Sequence, residues 1–492
     1  MSPSVEPFNE AKYKVLMDGL ECSEVMLSQI DLGDRFDSEY FTKNYLHISE
    51  QLEKVPTKPL GKISTTVASA FYPAATQLYA IGDTAFARCV DCVNYPIISK
   101  DQDAKFEKIP YTFAVESKGI SILNNEDIII TKVGTPCYAS IITEYSEIAL
   151  SRTVLGLTNI HDVDPYYLMI FLRCKYGFEQ LFRQRELTIQ YQLTLPRVKA
   201  INVFDAGESF QKDIRKVCMK FIECAQKAKK VYDEAQLIIS TILDVPEFPQ
   251  KNISTKMKSS SFSETGRLDA EYYQPKFDIL LETLKRFSCK TLGGDKGIVT
   301  IRKSIEPGSE VYQDEGIPFV RVSDISKFEI SDPEIHLPKN IVKDISKLYP
   351  KKDTILFSKD GSVGIAYKLE EDSELITSGA LLHLTVKNTN ESLPDYLTLI
   401  LNSEVVQLQA ERDSNGAIIQ HWKPSDIEKV IIPVFDMQTQ QEIASKVQTS
   451  FSLRRKSKEY LEIAKKSIEI AIEQSEETAE KWLREKVAKL EE

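Results

Sequence analysis

Arg35-Phe-Asp-Ser-Glu-Tyr-Phe41 returns later in the chain as Arg267-Leu-Asp-Ala-Glu-Tyr-Tyr273. Four more pairs follow in the same order. Phe86-Ala-Arg88 is matched by Phe319-Val-Arg321, and Lys132-Val-Gly134 by Lys359-Asp-Gly361. Asp164-Pro-Tyr-Tyr-Leu168 is matched by Pro394-Asp-Tyr-Leu397, and Asn202-Val-Phe-Asp205 by Pro433-Val-Phe-Asp436. One match of this length arises by chance, but five in one order, at offsets between 227 and 233 residues, do not. A period so long exceeds any solenoid repeat and means two copies of a whole domain. The 492 residues are enough for two domains with separate cores.

Each copy reads as a strand-rich region followed by one long helix. Asp353 to Ser358 and Val363 to Leu369 are β-branched and aromatic runs flanking Asp360-Gly361, which predicts a β-hairpin. Asp127 to Thr131 before Gly134 is its counterpart. Helices are expected to open at Pro165 and Pro394, because proline suits the first helical turn. Ile214, Val217, Phe221, Ala225, Ala228, Val231, Ala235, Ile238 and Ile242 then recur at coiled-coil spacing. A less regular seam runs from Ile443 to Leu490. Neither helix can bury its stripe alone, so the two are expected to pair antiparallel. The segment Val245 to Ser263, with two prolines and a serine run, fits a linker. The expected fold is α+β: two tandem mixed α/β domains related by internal duplication and bridged by two long antiparallel coiled-coil helices. Its boundaries are an acidic segment 1–34, domains 35–205 and 267–436, helices 206–245 and 437–492, and a linker 246–266.

Composition excludes several classes. At 42% hydrophobic and 27% charged the chain is globular. A net charge of −11 argues against a broad nonspecific nucleic-acid coat, although a local basic cleft is compatible with it. Met1 to Asp34 holds seven acids against Lys12 and Lys14, which leaves the rest at −6. No run reaches the ~18 apolar residues of a membrane span, and no basic stretch precedes an apolar signal core. Eight cysteines form no dense disulfide framework. A cytoplasmic protein with reduced thiols and no membrane contact is expected.

The second copy resembles the DNA-specificity (S) subunits of Type I restriction-modification systems. The resemblance is carried by Gly316-Ile-Pro-Phe-Val-Arg321, Asp360-Gly-Ser-Val-Gly364, Ser378-Gly379 and Gly416-Ala-Ile-Ile419, followed by Ile432-Pro-Val-Phe-Asp-Met-Gln-Thr-Gln-Gln-Glu-Ile-Ala444. It extends over roughly residues 35 to 475. The first copy departs from the pattern, with Asn202 where copy two has Pro433, no Gln-Gln pair, and Lys132-Val-Gly134 without the Gly-Ser-x-Gly turn. The resemblance implies that each copy is a target-recognition domain reading one half of a bipartite site. It implies that the helices serve as ruler and as dock for DNA methyltransferase (modification) subunits, two in number. Restriction/translocase subunits would be further partners. This chain would hold no cofactor, S-adenosylmethionine being expected in the methyltransferase subunits. A thirty-residue helix spans about 45 Å, against about 34 Å for a turn of duplex, which suits a ruler.

A recognition domain needs cations for phosphates and planar or amide groups for base edges. In copy two the candidates are Arg302, Lys303, Arg321, Lys359, Ser362, Gln420, His421, Trp422 and Lys423. In copy one they are Arg88, Lys132, Thr135, Arg183, Arg185, Gln190 and Tyr191. The plain alternative for Gln420 to Lys423 is a solvated surface loop. For Arg183 and Arg185 it is solvation of a helix end. No catalytic or metal-binding set is expected. Cys89-Val-Asp-Cys92 lacks a second ligand pair, and copy two has Val322 and Ile325 there, so the cysteines stand in for small core residues. Asp164-Pro-Tyr-Tyr167 lacks the second proline of the Asp-Pro-Pro-Tyr methyltransferase motif and reads as a helix start. No phosphate-binding loop or zinc-hydrolase spacing is present. The reading is therefore a non-catalytic DNA-specificity subunit for double-stranded DNA. The alternative is a protein-binding scaffold with two β-rich domains held apart by helices.

Overall fold

The computed structural model describes residues 9–27, 30, 35, 37–70, 76–93, 95–117, 119–186, 191–246, 263, 265–341, 344–416 and 419–492. The chain divides into two compact units: Met1–Cys224 with Lys456–Glu492, and Ala225–Arg455. Each long helix contributes its two ends to different units. Most of the expected linker 246–266 lies outside the described residues.

Unit 1 is built on a five-stranded sheet in the order Thr65–Ala68, Val154–Thr158, Ile128–Thr131, Ala139–Ile142, Ile97–Ile98. A four-stranded sheet, Glu107–Ile109, Thr84–Ala87, Ile148–Leu150, Ile122–Leu123, stands beside it. Ile128–Thr131 is buried along its whole length, as the run of β-branched residues predicts. Pro165–Arg173 is a helix whose N-cap, Asp164, accepts from the Tyr166 and Tyr167 amides. Helix initiation accounts for the Asp-Pro-Tyr-Tyr run.

Unit 2 repeats the plan. Its four-stranded sheet runs Val299–Lys303, Leu381–Val386, Ile355–Ser358, Ala366–Lys368, with a three-stranded sheet of His336–Leu337, Ile317–Val320 and Ile376–Thr377. Ile355–Ser358 pairs antiparallel with Ala366–Lys368, the hairpin expected around Asp360-Gly361. Pro394–Leu401 forms the second proline-opened helix.

The long helices are Glu208–Leu243 and Met437–Glu473. They run antiparallel within each unit. In unit 1 the Ser457 hydroxyl donates to the Phe221 carbonyl at 2.9 Å, and in unit 2 Ser450 donates to Ala228 at 2.7 Å while Lys446 pairs with Glu234 at 2.8 Å. The second helix does not continue to the C-terminus. It stops at Glu473, Ser475 caps a new helix, and Glu476–Glu491 folds back in unit 1. The Gly207 amide donates to Glu476 at 2.9 Å, while Glu491 at the far end pairs with Lys220 and lies 3.5 Å from the Tyr460 hydroxyl. Ala479 and Leu483 are thereby buried in the same core as Phe210 and Ile214. The apolar seam past Ile472, read as a straight continuation of the spacer, instead closes a three-helix bundle.

Hydrogen bonds fix the internal register more tightly than the sequence anchors do. Tyr167 donates to the Phe204 carbonyl at 3.0 Å and Tyr396 to that of Pro433 at 2.7 Å. Gln180 brackets Asn202 by accepting from its amide and donating to its carbonyl, both at 3.0 Å, and Gln409 does the same to Ile431 at 2.8 and 3.0 Å. Pro433 is therefore the equivalent of Phe204, not of Asn202, and the last anchor was two residues out of step. In the same register Gln211 corresponds to Gln440. Gln211 accepts from the Asp164 amide at 2.8 Å and donates to Ala206, and Gln440 accepts from Leu393 at 3.0 Å and donates to Phe435. The structural glutamine of the Gln-Gln pair is thus present in copy one.

Candidate nucleic-acid interface

In unit 2 most of the candidate residues come together at one end of the four-stranded sheet. Arg302 and Lys303 end the strand Val299–Lys303, opposite His383 and Leu382. Lys359 leaves Ile355–Ser358, on the other side of Leu381–Val386, at the same end, its amide bonded to the Ala380 carbonyl at 2.9 Å. Asp360-Gly361 then pairs antiparallel with Gln420-His421 as a small ribbon, Asp360 opposite His421 and Gly361 opposite Gln420. Asn415 brackets His421 from the other side, with bonds of 2.9 and 2.7 Å. Two loops about sixty residues apart in sequence therefore form one feature.

Arg302, Lys303, Ser362, Gln420, His421 and Lys423 are exposed. His421 Nδ1 lies 2.9 Å from Asp360 Oδ1. A carboxylate only accepts, so Nδ1 carries the proton and Nε2 is left as an acceptor in the neutral ring. Lys359 pairs with Asp360, and its side chain is only 16% exposed. Trp422 is corrected from a DNA-contact candidate to a core residue. It is 1% exposed and packs against Phe357 at 5.8 Å between ring centres, the rings tilted by 53°, and its amide donates to the Lys359 carbonyl at 2.7 Å. An apolar ring of that size gains more from the core than from solvent, and here it anchors the base of the ribbon.

Unit 1 repeats the ribbon backbone. The Leu193 amide donates to Lys132 at 3.0 Å, as Trp422 does to Lys359, and Gly134 donates to Tyr191 at 3.3 Å. Val133 bridges to Gln192, and Gln192 to Glu186. Lys132, Thr135 and Tyr191 thus gather where their counterparts do, Thr135 and Tyr191 being exposed. Arg185 joins them, its guanidinium 3.2 Å from the Phe182 ring centre and 4.3 Å from that of Tyr191. Gln190 lies outside the described residues.

Arg183 stands apart. It donates to the Tyr40 carbonyl at 2.8 Å and to Ser49 at 2.9 Å and lies over the Tyr40 ring at 4.1 Å. Copy two repeats this with Arg412 over Tyr272 at 5.3 Å, so Arg183 belongs to the framework that holds the Arg-x-Asp-x-Glu-Tyr motif. Arg88 and Arg321 are equivalent, each N-cap amide bonded to the aspartate three residues on, at 2.9 and 2.8 Å. Their side chains differ. Arg88 pairs with Asp91 at 2.9 Å and Glu107 at 3.3 Å, and Asp91 above all holds its guanidinium charged. Among the described residues Arg321 pairs with Asp324 alone, at 3.7 Å, because strand register puts Ile335 where copy one has Glu107. Arg88 is therefore neutralised in place, whereas Arg321 is 39% exposed and only loosely paired.

Cys92 is fully buried in the place Ile325 takes in copy two, and burial pushes its thiol pKa up. Sequence reasoning passed over Gln192 and Asn415, both on the ribbons, and the exposed Arg152 at the same end of unit 1. The repeat, carried forward from His421, points to Gln192. Among the described residues no helix is long and apolar enough to cross a membrane.

Residues 296–462 match the family described as Type I restriction modification DNA specificity domain. No curated protein matches the chain. Among solved structures it is similar to the S subunit of a Type I restriction-modification system from M. genitalium, at 13% identity and a TM-score of 0.37, covering 87% of this chain and 95% of that one. It is also similar to the HsdS subunit from Thermoanaerobacter tengcongensis, at 15% identity and a TM-score of 0.28, covering 85% and 97%. The stretch that matches the Type I restriction modification DNA specificity domain, residues 296–462, includes the ribbon and the start of the second long helix.

Proposed function

We propose that the chain is the DNA-specificity subunit of a Type I restriction-modification system, with each unit reading one half of a bipartite double-stranded target. The observation that carries this is the duplicated ribbon: the family match covers copy two, and copy one repeats its ribbon hydrogen bonds. Catalysis belongs to partner chains. Methyltransferase subunits, two per specificity subunit, dock on the helices and bind S-adenosylmethionine, with restriction/translocase subunits joining them in the cytoplasm. Base edges are read by ribbon side chains, while exposed cations such as Arg302, Lys303 and Lys423 hold phosphates.

The test is to purify the chain with the methyltransferase subunit encoded beside it and select bound duplexes from a random library. Enrichment of a two-part motif with a fixed spacer is expected. A stable complex that enriches no motif would contradict the reading and favour a scaffold.

A further inference from the structure

The two units hold the same ribbon backbone and put different chemistry on it. Framework polar side chains recur unchanged: Tyr167 and Tyr396, Gln180 and Gln409, Gln211 and Gln440 make the same bonds in each copy. On the ribbons only the glycine recurs, Gly134 as Gly361, and the other paired positions differ. Val133 corresponds to Asp360, Tyr191 to Gln420, and Gln192 to His421. A duplicated scaffold that preserves backbone presentation while exchanging the presented groups is what reading two unlike half-sites requires.

We infer that Gln192 in unit 1 and His421 in unit 2 are equivalent base-reading residues, one for each half-site. This rests on the proposed function. Each is the central residue of its ribbon, bridged on both sides, Gln192 to Val133 and Glu186, His421 to Asp360 and Asn415. That double bridging fixes the backbone beneath the side chain, which positions a reader better than a loop does. Among the described residues the Gln192 amide and His421 Nε2 make no hydrogen bond, so both have capacity to spare. Their chemistry differs in a defined way. A glutamine amide pairs in two-point fashion with adenine N6 and N7 in the major groove. The imidazole, its Nδ1 held by Asp360, presents Nε2, which accepts in the neutral ring and then suits the amino group of cytosine or adenine.

The experiment uses the complex with its methyltransferase subunits and the duplex selection above, on the wild type and on Gln192→Ala and His421→Ala. Q192A is expected to relax one base pair in one half of the motif and H421A one in the other half. Discrimination at that pair falls by roughly 5- to 150-fold, the worth of one good base contact. Both variants returning the wild-type motif, or both relaxing the same half, would overturn the inference. A wild-type complex that selects no motif would instead bring down the functional reading itself. Should either alanine variant fail to assemble, the exchanges Gln192→His and His421→Gln keep a polar side chain on the ribbon. Each is expected to change the preferred base in its own half only, and an unchanged motif in both overturns the inference equally.

Discussion

His383 is the clearest titrating residue of unit 2. It is 9% exposed, its Nε2 lies 2.8 Å from the Thr377 hydroxyl, and burial together with the neighbouring Arg302 lowers its pKa from 6.5 to about 4. Between those values the unfolded chain takes up a proton that the folded chain refuses, so stability falls as pH drops from about 6.5 to about 4. The loss should approach about 3 kcal/mol at the lower end. His383→Gln keeps a polar partner for Thr377 and should flatten that part of the curve. An unchanged slope in acid urea titrations would mean that another group is responsible. Gln440 is the second instructive residue: it is fully buried, accepts from Leu393 and donates to Glu391 and Phe435. Gln440→Ala leaves these three groups unpaired and should cost about 3 kcal/mol or more, at ~1–3 kcal/mol per orphaned group. Trp422 fluorescence in a Trp482→Phe background would report unit 2 alone, since the chain has two tryptophans. A cost under about 0.5 kcal/mol, the level of an ordinary surface substitution, would contradict the bracing role.

Among the elements, the fold-back helix departs most from the sequence reading. Its seam was legible, but its direction was not. Spacing marks Leu483 as part of the seam but not Ala479, and the break at Gln474-Ser475 depends on Ser475 accepting from the Thr478 amide, a cap that a serine within a charged run does not announce. Leu483→Ala should destabilise unit 1 by about 2 to 5 kcal/mol, the usual cost of a buried leucine truncation. A melting temperature equal to that of the wild type would contradict the packing of this helix in the unit 1 core. Strands, hairpin and proline-opened helices were readable because their residues are local and periodic. The ribbon was only half readable: Lys359, Gln420 and His421 were identifiable one by one, but their pairing is a long-range fact. Trp422 was misplaced for the same reason. Its polar neighbours suggest a surface, and only the sheet above Phe357 shows that it is core.

For the whole molecule, duplication is the organising fact and charge is the constraint. At a net −11 the chain repels duplex except where cations gather, so the isolated chain should bind arbitrary DNA weakly at physiological salt. Nanomolar affinity of the lone chain for random duplex, measured by fluorescence anisotropy, would contradict this. The central claim is that each copy reads its own half-site, and one measurement addresses it directly. Methylated bases are mapped genome-wide in cells carrying the methyltransferase subunit with no specificity chain, with this chain, or with this chain after residues 267–430 are replaced by the same region of another specificity subunit. The account predicts a two-part motif only when the chain is present, and a replacement that changes one half and leaves the other. A motif that is independent of the chain, or a replacement that changes both halves, would contradict it.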